Sequence, residues 1–246
     1  ASTECQLEII TRGAITPLAT ILRSGGGSAQ EAAAAAFAAI SDHQEAQKTV
    51  MKLGCIITMV DLLKRGSSTA QVNASQALAN LAGHNVQGQT EVHQAGAVRY
   101  LLQLIGKGVG QEFAARAIAR LACRNGTIQA DVCKQGGVAK LLALLSDRNV
   151  QAQIQAADAL AELAQGPNGL GHRRTQDAIS KAGGISPLLG MVECTPVVHR
   201  LIASSVKCLA EVARRNRANQ DTIASMGGLR PIVELLHSGS NPEYVQ

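Results

Sequence analysis

Aromatic side chains are nearly absent from this chain: among its 246 residues are two Phe, two Tyr and no Trp. A protein so poor in rings lacks the stacking platforms on which single-stranded nucleic acids sit, and its core has to be built from Ala, Leu, Ile and Val. No CxxC pair occurs either. The six Cys, at 5, 55, 123, 133, 194 and 208, are too thinly spread for a disulfide framework. They read as free thiols of a reducing compartment, which predicts a cytoplasmic protein and leaves nuclear, cytoskeletal or ciliary association open. On the same redox ground the sequons at 73–75 and 125–127 are not read as glycosylation sites. The longest strongly apolar run, Ala32 to Ile40, falls far short of the ~20 residues that cross a bilayer. Charge of one sign is not concentrated anywhere: residues 1–123 carry ten basic and eight acidic side chains, and 124–246 carry thirteen and ten. The net charge of +5 is therefore spread out, whereas dedicated nucleic-acid binders gather theirs on one face or in one tail. Period-two alternation is missing, so no sheet is expected.

What the chain has in plenty is repetition. Gly-Ala-Ile-Thr-Pro-Leu at 13–18 returns as Gly54-Cys-Ile-Ile-Thr-Met, Gly96-Ala-Val-Arg-Tyr-Leu, Gly136-Gly-Val-Ala-Lys-Leu, Gly183-Gly-Ile-Ser-Pro-Leu and Gly227-Gly-Leu-Arg-Pro-Ile. These glycines are 41, 42, 40, 47 and 44 residues apart. Seven residues before each stands a Gln (6, 47, 89, 129, 176, 220), and four before each a β-branched residue (Ile9, Val50, Val92, Val132, Ile179, Ile223). A period above 40 residues signals stacked supersecondary units. Each unit reads as a short helix stopped by the Gly, an apolar second helix, a Gly/Ser-rich break and a longer Ala/Leu helix. The last are predicted at Ala33–Ser41, Ala74–Ala82, Ala114–Ala122, Ala156–Ala164 and Ser205–Ala213.

Asn219-Gln220-x-x-Ile223 before a Gly, Gly-x-Ile-x-x-Leu-x-x-Leu-Leu after it and Ala-Leu-x-x-Leu-Ala closing resemble armadillo repeats, and the resemblance covers the whole chain. It implies an all-α, right-handed superhelical solenoid with three helices per ~42-residue repeat. The expected repeats are 1–42, 43–84, 85–124, 125–166, 167–215 and an incomplete 216–246, in one domain. Opening near Cys5 and stopping at 241–246 without complete polar caps, the sequence reads as part of a longer array, with neighbouring repeats of a parent chain at its ends. The surplus residues of the 47-residue spacing fall in 165–172, predicted to protrude as a mobile loop.

Motifs that carry chemistry are not found. Gly106-Lys-Gly-Val-Gly110 lacks the strand and the full spacing of a phosphate loop and reads as an inter-helix turn. His43 and His84 lack partners at metal spacing and read as histidines stabilised at the ends of third helices. The basic cluster Arg214-Arg215-Asn216-Arg217, superficially an import signal, falls where a third helix ends, and Arg173-Arg174-Thr175 is a minimal kinase-target pattern. No nucleophile elbow is present. No catalytic residue, cofactor or metal is therefore assigned.

The resemblance places function in a groove lined by the third helices. In peptide-binding members an Asn immediately before the closing Leu-Ala clamps the ligand backbone; the corresponding residues are Ala39, Asn80, Arg120, Glu162 and Glu211. The Trp that importin-alpha-like members add one turn earlier is replaced by Ala35, Gln76, Arg116, Asp158 and Lys207. A ladder for basic nuclear-import peptides is thus missing, and general partner recognition is what the resemblance still implies. The groove candidates are Gln76, Asn80, Arg116, Arg120, Arg124, Asp158, Glu162, Lys207 and Glu211. Residues four apart share a helix face, so Arg116, Arg120 and Arg124 are expected to form a basic stripe and Asp158 with Glu162 an acidic one. The stripes either meet a partner or pair with each other. The expected function is a non-enzymatic protein-interaction scaffold whose partner segment is acidic or phosphorylated at repeat three, with Asn80 and Gln76 holding its backbone. A permanent structural subunit of a large assembly and nucleic-acid binding through basic groove rows are the rival readings.

Overall fold

The computed structural model describes residue 8 and residues 10–83, 85–194 and 196–238. Cys5, Gln6, Ile9, His84 and the segment 239–246, all used above, lie outside the described residues. The described residues form helices and no strand. First come α1 (Ile15–Ser24) and α2 (Gly27–Ile40), then a triplet of α3 (Gln44–Lys52), α4 (Cys55–Arg65) and α5 (Ser68–Ala82). The next triplets are α6 (Val86–Gln94), α7 (Ala97–Leu104) and α8 (Gln111–Ala122), and α9 (Gly126–Lys134), α10 (Gly137–Leu144) and α11 (Val150–Gln165). After α12 (Arg173–Lys181), α13 (Ile185–Val192) and α14 (His199–Ala213) the described chain closes with α15 (Arg217–Ser225) and α16 (Leu229–Ser238). No helix is long and apolar enough to cross a membrane among these residues.

The recurring glycine has a backbone cause. Gly54, Gly96, Gly136, Gly183 and Gly227 sit between first and second helices with φ of 66–79°, the left-handed region where a Cβ is strained. At the other end of the short helix Asn85, Asn125 and Asn216 are N-caps, their side-chain oxygens accepting from the backbone N–H of Gly88, Ile128 and Asn219.

The third helices start three to six residues earlier than the apolar pattern indicates. Their first turns are polar (Gln71, Asn73, Gln151, Gln153), and Ser67 and Asn149 cap α5 and α11 by accepting from backbone N–H groups. Successive third helices α2, α5, α8, α11 and α14 pack side by side. Fully buried alanines such as Ala74, Ala77, Ala114, Ala117, Ala156 and Ala159 line the contacts. Side chains this small let backbones approach closely enough for polar groups of one repeat to reach the next.

That approach explains the recurring glutamine. Gln89 Nε2 donates to the carbonyls of Arg120 and Cys123 at 3.0 and 3.1 Å, while its Oε1 accepts from Asn125 at 3.2 Å. Gln47 donates to Ser41 and Asn80 oxygens, Gln129 to those of Ala122 and Glu162, and Gln176 to those of Glu211 and Arg214, all at 2.8–3.1 Å. Asn85 and Asn216 return the bond to Gln47 and Gln176. Each glutamine thus donates to carbonyls at the end of a third helix, and through the preceding helix end (Gln47, Gln129) or the following Asn (Asn85, Asn125, Asn216) one repeat is tied to the next.

Three expectations are corrected. The 165–172 segment does not stand free: the N–H groups of Gly171 and His172 donate to the Gln165 and Ala164 oxygens at 2.8 and 2.7 Å, and Pro167 packs over Gly126. His43 is the residue before α3, at a helix N-terminus rather than a third-helix end, because α2 stops at Ile40. Thr175 is only 2% exposed and its hydroxyl lies 2.5 Å from His172 Nδ1, which removes it from kinase reach.

Candidate functional site

A cavity of about 750 Å³ opens across three successive third helices. The α8 side contributes Arg116, Ala119, Arg120 and Cys123; α11 contributes Gln151, Ile154, Gln155, Asp158 and Glu162; α14 contributes Arg200, Ala203, Ser204 and Lys207. One helical face after another lines it because positions four apart recur on the same side. Its lining mixes apolar residues (Ala119, Ile154, Ala203) with uncharged polar and charged ones.

The charges pair, though not as α8 against α11. Asp158 is 3.3 Å from Arg200 and Glu162 is 2.8 Å from Lys207, so both acidic groups of α11 turn to α14. Burial opposes the Lys207 charge, yet the Glu162 carboxylate, helped by Asp158, holds its pKa above the usual lysine range. Arg120 turns the other way: its Nη1 lies 3.6 Å from Asp42 and 3.4 Å from Asn80 Oδ1, with its guanidinium packed on the backbone of Gly83. Arg116 is left between the two sets, with no hydrogen bond or ion pair among the described residues. Burial first, then the neighbouring Arg120 and Arg200 cations, lower its pKa, only partly offset by Asp42.

Other candidates lie outside the cavity lining. Asn80 is 2% exposed; its amide donates to the Ala38 carbonyl at 2.9 Å and its oxygen faces Arg120, so here it joins repeats. Gln76 is half-buried one turn earlier on α5, and does not line the cavity. Arg124 is not part of a stripe: α8 ends at Ala122, and Arg124 follows in a left-handed conformation, φ 53°, outside the cavity. The basic stripe therefore shrinks to Arg116 and Arg120. Glu211 is 6% exposed and held by both guanidinium nitrogens of Arg214 at 2.7 Å. Sequence reasoning missed Arg200, because it lies on the first turn of α14, outside the closing motif used to align the repeats. It also missed Cys123, whose thiol pKa is raised by burial and by the Glu162 charge.

With this geometry the chain superposes on solved solenoids. A designed armadillo repeat protein in complex with the peptide (KR)4 matches with a TM-score of 0.79 over 93% of this chain and 94% of its own, at 23% identity. The fold is an armadillo-like repeat solenoid. An engineered protein matches at 28% identity with a TM-score of 0.81 over 90% of each chain. A computationally designed armadillo repeat protein for modular peptide recognition matches at 22% identity and a TM-score of 0.77, over 90% of this chain and 91% of its own. No protein-family model and no curated protein matches the sequence.

Proposed function

We propose that this armadillo-like solenoid is a non-catalytic scaffold that binds an extended protein segment along the third-helix face. The segment carries an acidic or phosphorylated residue where it crosses repeats three to five. The observation that carries the reading is the open cavity lined by α8, α11 and α14, with Arg116 uncompensated at its rim. Two design neighbours are described as peptide-binding, which supports a segment over a small molecule as the occupant. One of them holds a Lys-Arg peptide. Here the lining has four cations, Arg116, Arg120, Arg200 and Lys207, against Asp158 and Glu162, so a partner of the opposite sign fits better.

Selection of a displayed peptide library against the full chain tests this. Captured sequences should be enriched in Asp and Glu. Their binding should be abolished by Ala203→Trp, which fills the cavity from an exposed position on α14, and weakened by about 2 kcal/mol or more by Arg116→Glu if the contact is desolvated. Peptides that bind both variants as well as the parent chain place the interaction elsewhere and end the proposal.

A further inference from the structure

We infer that the rim of this cavity is a two-fork seat for a phosphomonoester, the side chain of a phosphorylated serine or threonine on the partner segment. The inference rests on the groove reading above and narrows its ligand. Arg116 supplies the first fork. It is half-buried, makes no ion pair or hydrogen bond among the described residues, and sits within electrostatic reach of both Arg120 and Arg200. A planar guanidinium engages two oxygens of one oxyanion at once.

The second fork is Arg200. Its side chain is 69% exposed and reaches Asp158 through a single nitrogen at 3.3 Å, a surface pair of the kind that contributes little and is easily exchanged. Releasing it does not strand Asp158, because Lys207 already lies within electrostatic reach of that carboxylate as well as of Glu162. Arg200 can therefore swing toward a ligand on Arg116 while Lys207 serves both acidic groups. Arg120 stays where it is, held by Asp42, Asn80 and the Gly83 backbone, and adds field without moving.

The number of acceptor oxygens separates a phosphomonoester from a carboxylate. Arg120 is committed to Asp42 and Lys207 reaches both Asp158 and Glu162, so the forks left for a ligand are Arg116 and Arg200, and a phosphomonoester near pH 7 carries close to two negative charges on three strong acceptor oxygens. A carboxylate brings one charge and two oxygens, which a single fork satisfies. Two forks, one from α8 and one from α14 reaching over α11 between them, suit the larger anion.

The test uses the full chain and three probes: N-acetyl-O-phosphoserine amide, N-acetylglutamate amide and dimethyl phosphate, followed through the arginine Nε–H signals in nitrogen-correlated NMR spectra. The phosphoserine probe should shift the Arg116 and Arg200 signals saturably and bind at least fivefold more tightly than either singly charged probe. Arg116→Gln and Arg200→Gln should each weaken it at least tenfold, Arg200→Lys by an intermediate factor, and Arg12→Gln, exposed ahead of α1 and outside the cavity lining, not at all. Circular dichroism melting checks that the variants, altered at side chains that face the cavity, stay folded. Equal binding of the glutamate probe, or insensitivity to Arg200→Gln, overturns the two-fork seat. So does the lack of any saturable shift. Peptides that occupy the groove and are lost on Ala203→Trp yet ignore phosphorylation overturn the seat alone and leave the groove reading standing. Saturable phosphoserine binding with no peptide captured leaves the seat and removes the groove reading.

Discussion

Replacing Gln89 by Ala removes one side chain and unties three groups. The carbonyls of Arg120 and Cys123 lose their donor, and the Asn125 amide loses its acceptor. Gln89 is 4% exposed, so water does not simply take its place. A net hydrogen bond contributes about 1 kcal/mol, and a polar group left buried without a partner costs roughly 1–3 kcal/mol. With partial relaxation of the two helix ends, the loss should come to about 2–4 kcal/mol. Gln220 provides the internal reference: it is exposed and holds only the Ala213 carbonyl at 3.0 Å. Gln220→Ala should therefore cost under about 1 kcal/mol. In a stack whose units touch only their neighbours, the damage should be confined to the junction between repeats three and four. Urea unfolding gives the overall loss, and native-state hydrogen exchange locates it in amides of α8 and α9. Equal losses at Gln89 and Gln220, or protection lost evenly along the chain, would refute the idea that glutamines join the repeats one junction at a time.

Acid should act through carboxylates at the same junctions. Asn216, and after it Arg173, hold the Asp177 carboxyl below its ordinary pKa despite some burial. Its native value lies below its unfolded one, so its contribution is complete above the unfolded pKa and fades as pH falls through the native value. Asp177→Asn should flatten that part of the stability–pH profile near and below pH ~4, measured by thermal melts across the acid range. Glycine substitutions should separate strain from crowding in the 165–172 segment. Gly169→Ala meets open space at φ 66° and should cost about 1 kcal/mol. Gly171→Ala at φ 93° puts a Cβ 2.6 Å from Gln176 Nε2 and should cost roughly 2–4 kcal/mol, since it also disturbs a junction glutamine. Melts of the two variants that coincide would show that the segment does not dock as described.

The solenoid was legible because its determinants are local and repeated. A glycine that must take positive φ and a carbonyl-binding Gln each recur at fixed offsets, and six copies in the sequence make the offsets visible. The site was legible only in part. Lining positions Arg116, Arg120, Asp158, Glu162 and Lys207 follow from helix periodicity once the third helices are aligned. What periodicity does not carry is the choice of partner across a junction. Asp158 and Glu162 face cations on both sides, and the register of α14 decides for Arg200 and Lys207. Asn80 looks like a free clamp in sequence, yet the closeness of α2 turns its amide to the Ala38 oxygen. Arg124 carried a local warning: Asn125 caps the next helix, so the chain had to leave α8 before reaching it.

The bonds of the recurring Gln47, Gln89, Gln129 and Gln176 lie at one edge of the stack, where third helices end. At the opposite edge, where third helices begin, the ties are of another kind: Gln111 to Asp147 at 2.7 Å, Ser67 to the Glu31 carboxylate, Asn73 to the Glu31 carbonyl at 3.2 Å. Apart from the buried Gln111, these join exposed or half-buried side chains, and none of them fills the end of a third helix. The molecule is bound like a book, stitched along its spine and merely clasped at its fore-edge. Bending that fans the pages apart at the clasped side strains few buried bonds, whereas bending that opens the spine breaks several at each page. Its compliance is thus directional, easier at the clasps than along the stitching.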